Sequence, residues 1–98
     1  MIVHIVTFTW REGVTDEQVR EACEGLARLP ELIPALQRYR FGPDADLREG
    51  NADFGIVAEV PDAEGLLAYL EHPEHVVVAG KLREMAASRS AVQVRVEG

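Results

Sequence analysis

From Ile2 to Trp10 the chain alternates between two sets of positions, and both are mostly apolar. Ile2, His4, Val6, Phe8 and Trp10 share one side; Val3, Ile5, Thr7 and Thr9 share the other. β-Branched and aromatic residues dominate, so the segment reads as a strand, and two apolar sides predict that it is covered on both. Arg11-Glu12-Gly13 reads as a turn. Thr15 to Gln18 has the spacing of a capping box, and Val19, Ala22, Cys23, Leu26 and Leu29 recur at helical intervals, so a helix is expected that ends at Pro30. Leu32 to Ala35 reads as a buried connector, Leu36 to Phe41 as a second strand closed by Gly42-Pro43, and Asp44 to Asp53 as an acidic, solvated loop. Phe54 to Val60 is a third strand with Phe54, Ile56, Ala58 and Val60 on one side. Asp62 is a suitable N-cap for a helix from about Ala63 to Glu71. A residue before proline avoids the helical region, and proline suits the first position of a helix. The chain is therefore expected to break at His72 and resume as a helix from Pro73 to about Met85. Ala91 to Val96 alternates again, with Val92, Val94 and Val96 together.

The order β-α-β-β-α-(α)-β predicts an α+β fold of the ferredoxin-like kind: a four-stranded antiparallel sheet with its helices on one face. The other face is then apolar whichever way the first strand is turned. Apolar patches of that size mark an interface, so a homodimer packed sheet against sheet is expected, with a cavity between the sheets.

Composition narrows the partners. Ninety-eight residues predict a single domain over 1–98. A net charge of −7 argues against nucleic acid and against anionic membrane surfaces. The lone Cys23 rules out an internal disulfide and fits a reducing compartment. Its place on an apolar helical stripe is that of a small hydrophobe. The first residues lack the basic and small-residue marks of a signal peptide, and no apolar run approaches the roughly 20 residues of a membrane span. A cytoplasmic protein is expected.

The chemistry concentrates in Tyr69-Leu70-Glu71-His72-Pro73-Glu74-His75, which holds two of the three histidines. His75 falls in the first turn of the second helix, where the dipole disfavours a protonated ring; it reads either as a base in a cavity or as a residue packing the corner. Tyr69 reads as a hydrogen-bonding group at the same cavity or as a buried tyrosine with its hydroxyl satisfied. His72, before proline, is expected to close the turn through a backbone hydrogen bond. His4 sits among Ile2, Val6 and Phe8, as a pocket donor or a satisfied interior residue. His72 and His75 have no evident third ligand, so no metal is expected. No glycine-rich loop leads from a strand into a helix, so no cofactor is expected. Trp10 is read as packing at the rim.

Taken together, His4-Ile5-Val6-Thr7-Phe8, Ile33-Pro34-Ala35-Leu36 and the Y-x-x-H-P-x-H string resemble the Dabb family, the stress-responsive dimeric α/β-barrel proteins. The similarity runs over nearly the whole chain, and the Y-x-x-H-P-x-H string is its most specific part. The resemblance implies ferredoxin-like subunits that pair through their sheets into a barrel. It also implies kinship with a plant branch of polyketide cyclases that close a ring by aldol condensation without a cofactor. On that likeness Tyr69 and His75 map to catalytic positions, and His4 to the cavity. Val6, Phe8, Leu26, Ile56 and Ala58 are expected to line the cavity beside it. The chain departs from the family in having Val94-Arg95-Val96 where an Asp-Tyr pair often stands, and Ala22, Cys23 and Leu26 where the cyclases carry aromatics. Two functions follow: a cofactor-free enzyme that removes a proton next to a carbonyl, or a small-ligand-binding or stress-associated dimer without turnover.

Overall fold

The chain runs through β1 (Ile2–Trp10), α1 (Asp16–Ala27), α2 (Leu29–Leu32), β2 (Arg38–Pro43), β3 (Phe54–Val60), α3 (Ala63–Glu71), α4 (Pro73–Met85) and β4 (Ala86–Arg95) in a computed structural model that describes residues 1–97. The strands form one sheet in the order β2-β3-β1-β4, and every neighbouring pair is antiparallel. This is the ferredoxin-like α+β arrangement.

The helix ends follow local chemistry. Thr15 Oγ1 accepts from the Gln18 amide at 3.2 Å, and Gln18 Oε1 accepts from the Thr15 amide at 2.8 Å, completing the capping box of α1. Asp62 Oδ1 accepts from the Gly65 amide at 2.8 Å at the start of α3. α1 packs against α4 at Gly25, where a Cβ would lie 3.0 Å from a Val78 methyl; a larger residue would push the helices apart.

Boundaries differ from expectation in three elements. Pro30 does not end α1, which stops at Ala27; it opens the short α2 instead, a position where its missing N–H costs nothing. β2 starts at Arg38 because Leu36 still belongs to the preceding turn, its amide bonded to the Ile33 carbonyl. The strand continues through Gly42 and Pro43, which pair with Gly55 and Phe54; β2 is an edge strand, so a residue without an N–H is tolerated there. β4 begins at Ala86, directly after α4, where no alternation of apolar side chains announces it.

Register sorts the side chains onto two faces. Ile2, His4, Val6 and Phe8 of β1 pair with Val60, Ala58, Ile56 and Phe54 of β3, and all eight are buried beneath the helices. Leu26, Leu29, Ile33, Tyr69 and Leu82 close over them. Trp10 packs at the strand end on Phe8 and Phe54, with ring centroids 5.8 and 5.5 Å apart. The opposite face carries Val57, Ile5 and Val92 in one row and Glu59, Val3 and Val94 in the next. Val92 and Val94 are 54 % and 41 % exposed. The motive for pairing subunits therefore lies in Val3, Ile5, Val57, Val92 and Val94. Phe54, Ile56 and Ala58 belong to the helix-covered core. Among the described residues no helix is long and apolar enough to cross a membrane.

The loop Asp44–Asp53 is irregular but tied at its base. The Asp53 amide donates to the Phe8 carbonyl at 2.8 Å, and Asp53 Oδ2 accepts from the Trp10 amide at 2.8 Å.

Candidate functional site

The corner between α3 and α4 brings the chemistry together. His72 has extended backbone, φ −61° and ψ 132°, and its Nδ1 accepts from the Glu74 amide at 3.1 Å. It caps α4, as a residue before proline is expected to. The turn carries His75 back over the end of α3, where its Nδ1 lies 3.1 Å from the Leu70 carbonyl oxygen. A carbonyl only accepts, so Nδ1 holds the ring proton and Nε2 of the neutral ring keeps an unshared pair. The Tyr69 ring stands 4.3 Å from that of His75, centroid to centroid, at 53°.

His4 is held in the opposite tautomer. The Gln93 side-chain amide lies 3.1 Å from His4 Nδ1 and donates to it, which leaves the ring proton on Nε2. His4 is thus a donor where His75 is an acceptor, and the His4 ring meets Tyr69 edge-on at 6.2 Å. Burial, before any other cause, holds both histidines below their ordinary range. For His4 the Arg89 charge adds to this, as does His75 once it is protonated. For His75 the bond to Leu70 works against it, while Arg83, Arg89 and His72 reinforce it. Both rings are neutral at neutral pH.

Tyr69 is 1 % exposed, and its hydroxyl lies 2.8 Å from that of Tyr39 on β2. The pair holds two protons and uses one between the oxygens. With Tyr39 donating, the Tyr69 proton is free for another acceptor. Burial pushes the Tyr69 hydroxyl up to about 12, with the Tyr39 bond pulling it the other way. Burial, and then the neighbouring Tyr69, push Tyr39 higher still. Tyr69 is therefore a protonated donor over the whole physiological range.

His4, Tyr69 and His75 face a cavity of about 220 Å³. His4, Val6, Phe8 and Ile56 form its floor on the sheet; Tyr69, Leu70, His75, Val76, Ala79 and Leu82 form its helical wall. Arg83, Arg89 and Gln93 complete the lining along β4 and the end of α4. The cavity expected between two sheets is thus found inside one subunit, between its sheet and α3–α4. On that side β4 supplies Arg89, Ala91 and Gln93, opposite Phe8, Val6 and His4, and none of them is a bulky apolar group that would fill the space. Of the lining residues expected from the sequence, His4, Val6, Phe8, Ile56, Tyr69 and His75 come together here. Leu26 and Ala58 do not; they are 1 % and 0 % exposed in the close-packed core.

Tyr39, Arg83, Arg89 and Gln93 were not among the expected site residues. For the last two a signal was present: in a strand whose alternate members are Val92 and Val94, the intervening Arg89, Ala91 and Gln93 must face the other way. Cys23 is half-buried and burial raises its thiol, which makes it a poor nucleophile. Among the described residues no cluster of three His, Cys, Asp or Glu side chains is placed to hold a metal ion.

Comparison with known proteins agrees with this fold. The Dabb family, described as the stress responsive A/B barrel domain, matches residues 2–96. An uncharacterized Streptomyces coelicolor protein is 33% identical over 88 residues, covering 88% of this chain and 91% of its own. The stress-response A/B barrel domain-containing protein HS1 of Arabidopsis thaliana is 25% identical over 80 residues, covering 80% of this chain and 73% of its own. Among solved structures, a dimeric ferredoxin-like protein of unknown function from Thermobifida fusca superposes with a TM-score of 0.91 at 40% identity, over 97% of this chain and 90% of that one. A hydroxynitrile lyase from Passiflora edulis shares the fold alone, with a TM-score of 0.85 at 12% identity over 98% of this chain and 93% of that one. With the family pattern spanning residues 2–96 and a ferredoxin-like subunit built to match, this chain belongs to the Dabb family of stress-responsive A/B barrel domains.

Proposed function

We propose that this protein is a homodimer in which each subunit carries a cofactor-free catalytic cavity for a small, partly apolar carbonyl compound. His75 is the base. Its Nε2 takes a proton from the carbon next to the carbonyl, and the electron pair moves onto the carbonyl oxygen. Tyr69 donates a hydrogen bond to that oxygen as its charge develops. In a chain with a second carbonyl, the enolate carbon can attack it, forming a C–C bond; the proton on Nε2 then returns to the new alkoxide. No redox partner is needed.

The observation that carries this is the state of His75: its Nδ1 proton is engaged by Leu70 at 3.1 Å, and its ring lies 4.3 Å from Tyr69. The bond to Leu70 alone would suit a histidine that packs the corner; what supports a base is that the ring also lines the cavity beside Tyr69 and His4. Tyr39 is a positioning residue in this scheme. By donating to Tyr69 it aims the Tyr69 proton away from β2 and makes it a better donor.

The dimer would form through the uncovered sheet face. Val3, Ile5, Val57, Val92 and Val94 make an apolar stripe there, and burial returns about 25 cal/mol per Å² before association costs. Sedimentation at micromolar concentration should find a dimer; a well-folded monomer would count against it.

The catalytic test follows loss of α-protons from a panel of linear poly-β-ketides and simple ketones in D₂O by NMR, with ring closure followed by mass spectrometry. The parent should accelerate exchange, His75→Ala should abolish the acceleration, and Tyr69→Phe should weaken it. Near-parental exchange in folded His75→Ala would reject the base and leave the second reading, a dimer that holds a small molecule without turning it over.

A further inference from the structure

The chain has 17 acidic and 10 basic residues, yet its cavity is lined by Arg83, Arg89, His4 and His75 and by no carboxylate. The imbalance is local. Among the described residues the ion pairs are those of Arg20 with Glu17 and Glu24 on α1; Arg83 and Arg89 have no acidic partner. The permanent charges acting on His75 are those of Arg83 and Arg89, both cationic. The end of α4 accounts for Arg83, since a basic residue in the last turn suits the helix dipole. It does not account for Arg89, which projects from the middle of β4 opposite Phe8 onto the cavity side.

Both guanidinium groups are exposed at the mouth of an apolar cavity, and neither is offset by an acidic side chain among the described residues. They become favourable when an anion lies between them, and a planar carboxylate matches their donor geometry. The deep end of the cavity is a different environment, with Tyr69, His4 and His75 set among Val6, Phe8, Ile56 and Leu82. The lining thus changes from neutral donors and an acceptor in an apolar setting to cationic groups along β4.

We infer that the cavity takes a short oxo acid, with its carbonyl at Tyr69 and His75 and its carboxylate held by Arg83 and Arg89. A volume of about 220 Å³ is below the roughly 300–1,000 Å³ of drug-sized sites and admits a compact chain. The negative protein as a whole would slow the approach of such an anion; the two arginines reverse the field locally. They also add positive potential where the enolate charge forms.

This substrate class assumes the carbonyl chemistry proposed for His75 and Tyr69, and the experiment separates the two. The probes are γ-, δ- and ε-oxo carboxylates and their methyl esters, which differ in charge but hardly in shape. Binding is measured by titration calorimetry for the parent, Arg83→Gln, Arg89→Gln and the double variant, after circular dichroism confirms folding. At least one acid should bind about tenfold or more tightly than its ester, as expected for a charge-assisted pair. Each single variant should lower that ratio, and the double variant should bring it near one by weakening acid binding more than ester binding. Arg89→Lys should keep part of it. An ester that binds as well as its acid, a preference that survives in the double variant, or no saturable binding of any acid would each overturn the assignment. Proton exchange is read on the same samples. His75-dependent exchange that is equal for acids and esters upholds the base and rejects the anion site. An arginine-dependent preference without exchange upholds the anion site and rejects the base.

Discussion

Where α1 meets β2 the helix-covered side of the sheet is packed solid; where α4 meets β4 it is hollow. On the first side Leu26, Leu29, Ile33, Phe54 and Val60 are all at most 2 % exposed, and Gly25 lets α1 close against α4. On the second, the residues β4 turns toward the helices are Arg89, Ala91, Gln93 and Arg95, all exposed. Both sides belong to one sheet and one layer of helices. What separates them is the content of the inward positions. Apolar groups at those positions produced a core, and polar ones left room for chemistry.

The largest effect should come from emptying the packed side. Phe54→Ala removes a ring that is 2 % exposed and in contact with Trp10, at a cost of about 3–5 kcal/mol. Urea melts measure this directly. A loss below about 1 kcal/mol would mean that the two sides do not differ in packing as described.

The hollow side should respond in rate. His75→Ala is expected to lower turnover on the order of 10²–10⁴-fold while stability stays close to parental, because its neighbours already border empty space. Unfolding on this substitution would make the histidine structural. Tyr39→Phe keeps the ring and deletes one hydroxyl, so about a tenfold loss or less is expected, seen mainly in kcat. It should also raise the alkaline limit at which Tyr69 ionises, readable from its ultraviolet titration.

Acid should affect the two sides unequally. Burial lowers His4 and His75 in the folded state, so the unfolded chain takes up protons first, near its ordinary value of about 6.5. The stability owed to these neutral rings is full above that value and is lost as pH falls through their lower folded values. The acid limb of kcat/KM should likewise lie below about 6.5. Arg89→Gln removes one of the charges that depress His75, so it should move that limb upward. A downward or absent shift would show that Arg89 does not act on the base. The smallest effect is Thr15→Ala, about 1 kcal/mol for the lost cap of α1, with no change in rate.

How far the sequence could be read follows the same division. Ala63–Glu71, the break at His72 and Pro73–Met85 were legible to the residue because proline and capping rules act locally. Phe54, Ile56, Ala58 and Val60 were legible as one side because period-two alternation needs no knowledge of partners. The position of the cavity was not. An alternating apolar strand looks the same whether its apolar side meets a helix or a second subunit, and Ile2–Trp10 is apolar on both. Tyr39 escaped notice because its role exists only through a 2.8 Å contact with a residue 30 positions away. The extra length of β4 escaped because Ala86–Ser90 pairs by backbone alone. Leu26 was placed at the cavity by the family likeness and Ala58 by sharing a strand side with Ile56, but neither says anything of depth.

β4 follows α4 without an intervening loop: Met85 ends one and Ala86 begins the other, and Arg11 is bonded to the carbonyls of both. The joint holds one spare residue: Thr9 pairs with Ser88 and Trp10 with Ala86, which leaves Ala87 as a bulge. Deleting Ala87 would remove the bulge and leave Val92 and Val94 on the uncovered face, whereas deleting a second residue before Arg89 would carry them onto the helix side and Arg89 and Gln93 onto the other. One strand thus writes two messages in interleaved letters, one read by the cavity and one by the uncovered face. Its reading frame is set by a single hinge. Point substitutions can revise either message alone, whereas a length change beyond that one bulged residue garbles both together. Lineages of this domain should accordingly vary in the letters of β4 far more freely than in the spacing between α4 and the strand.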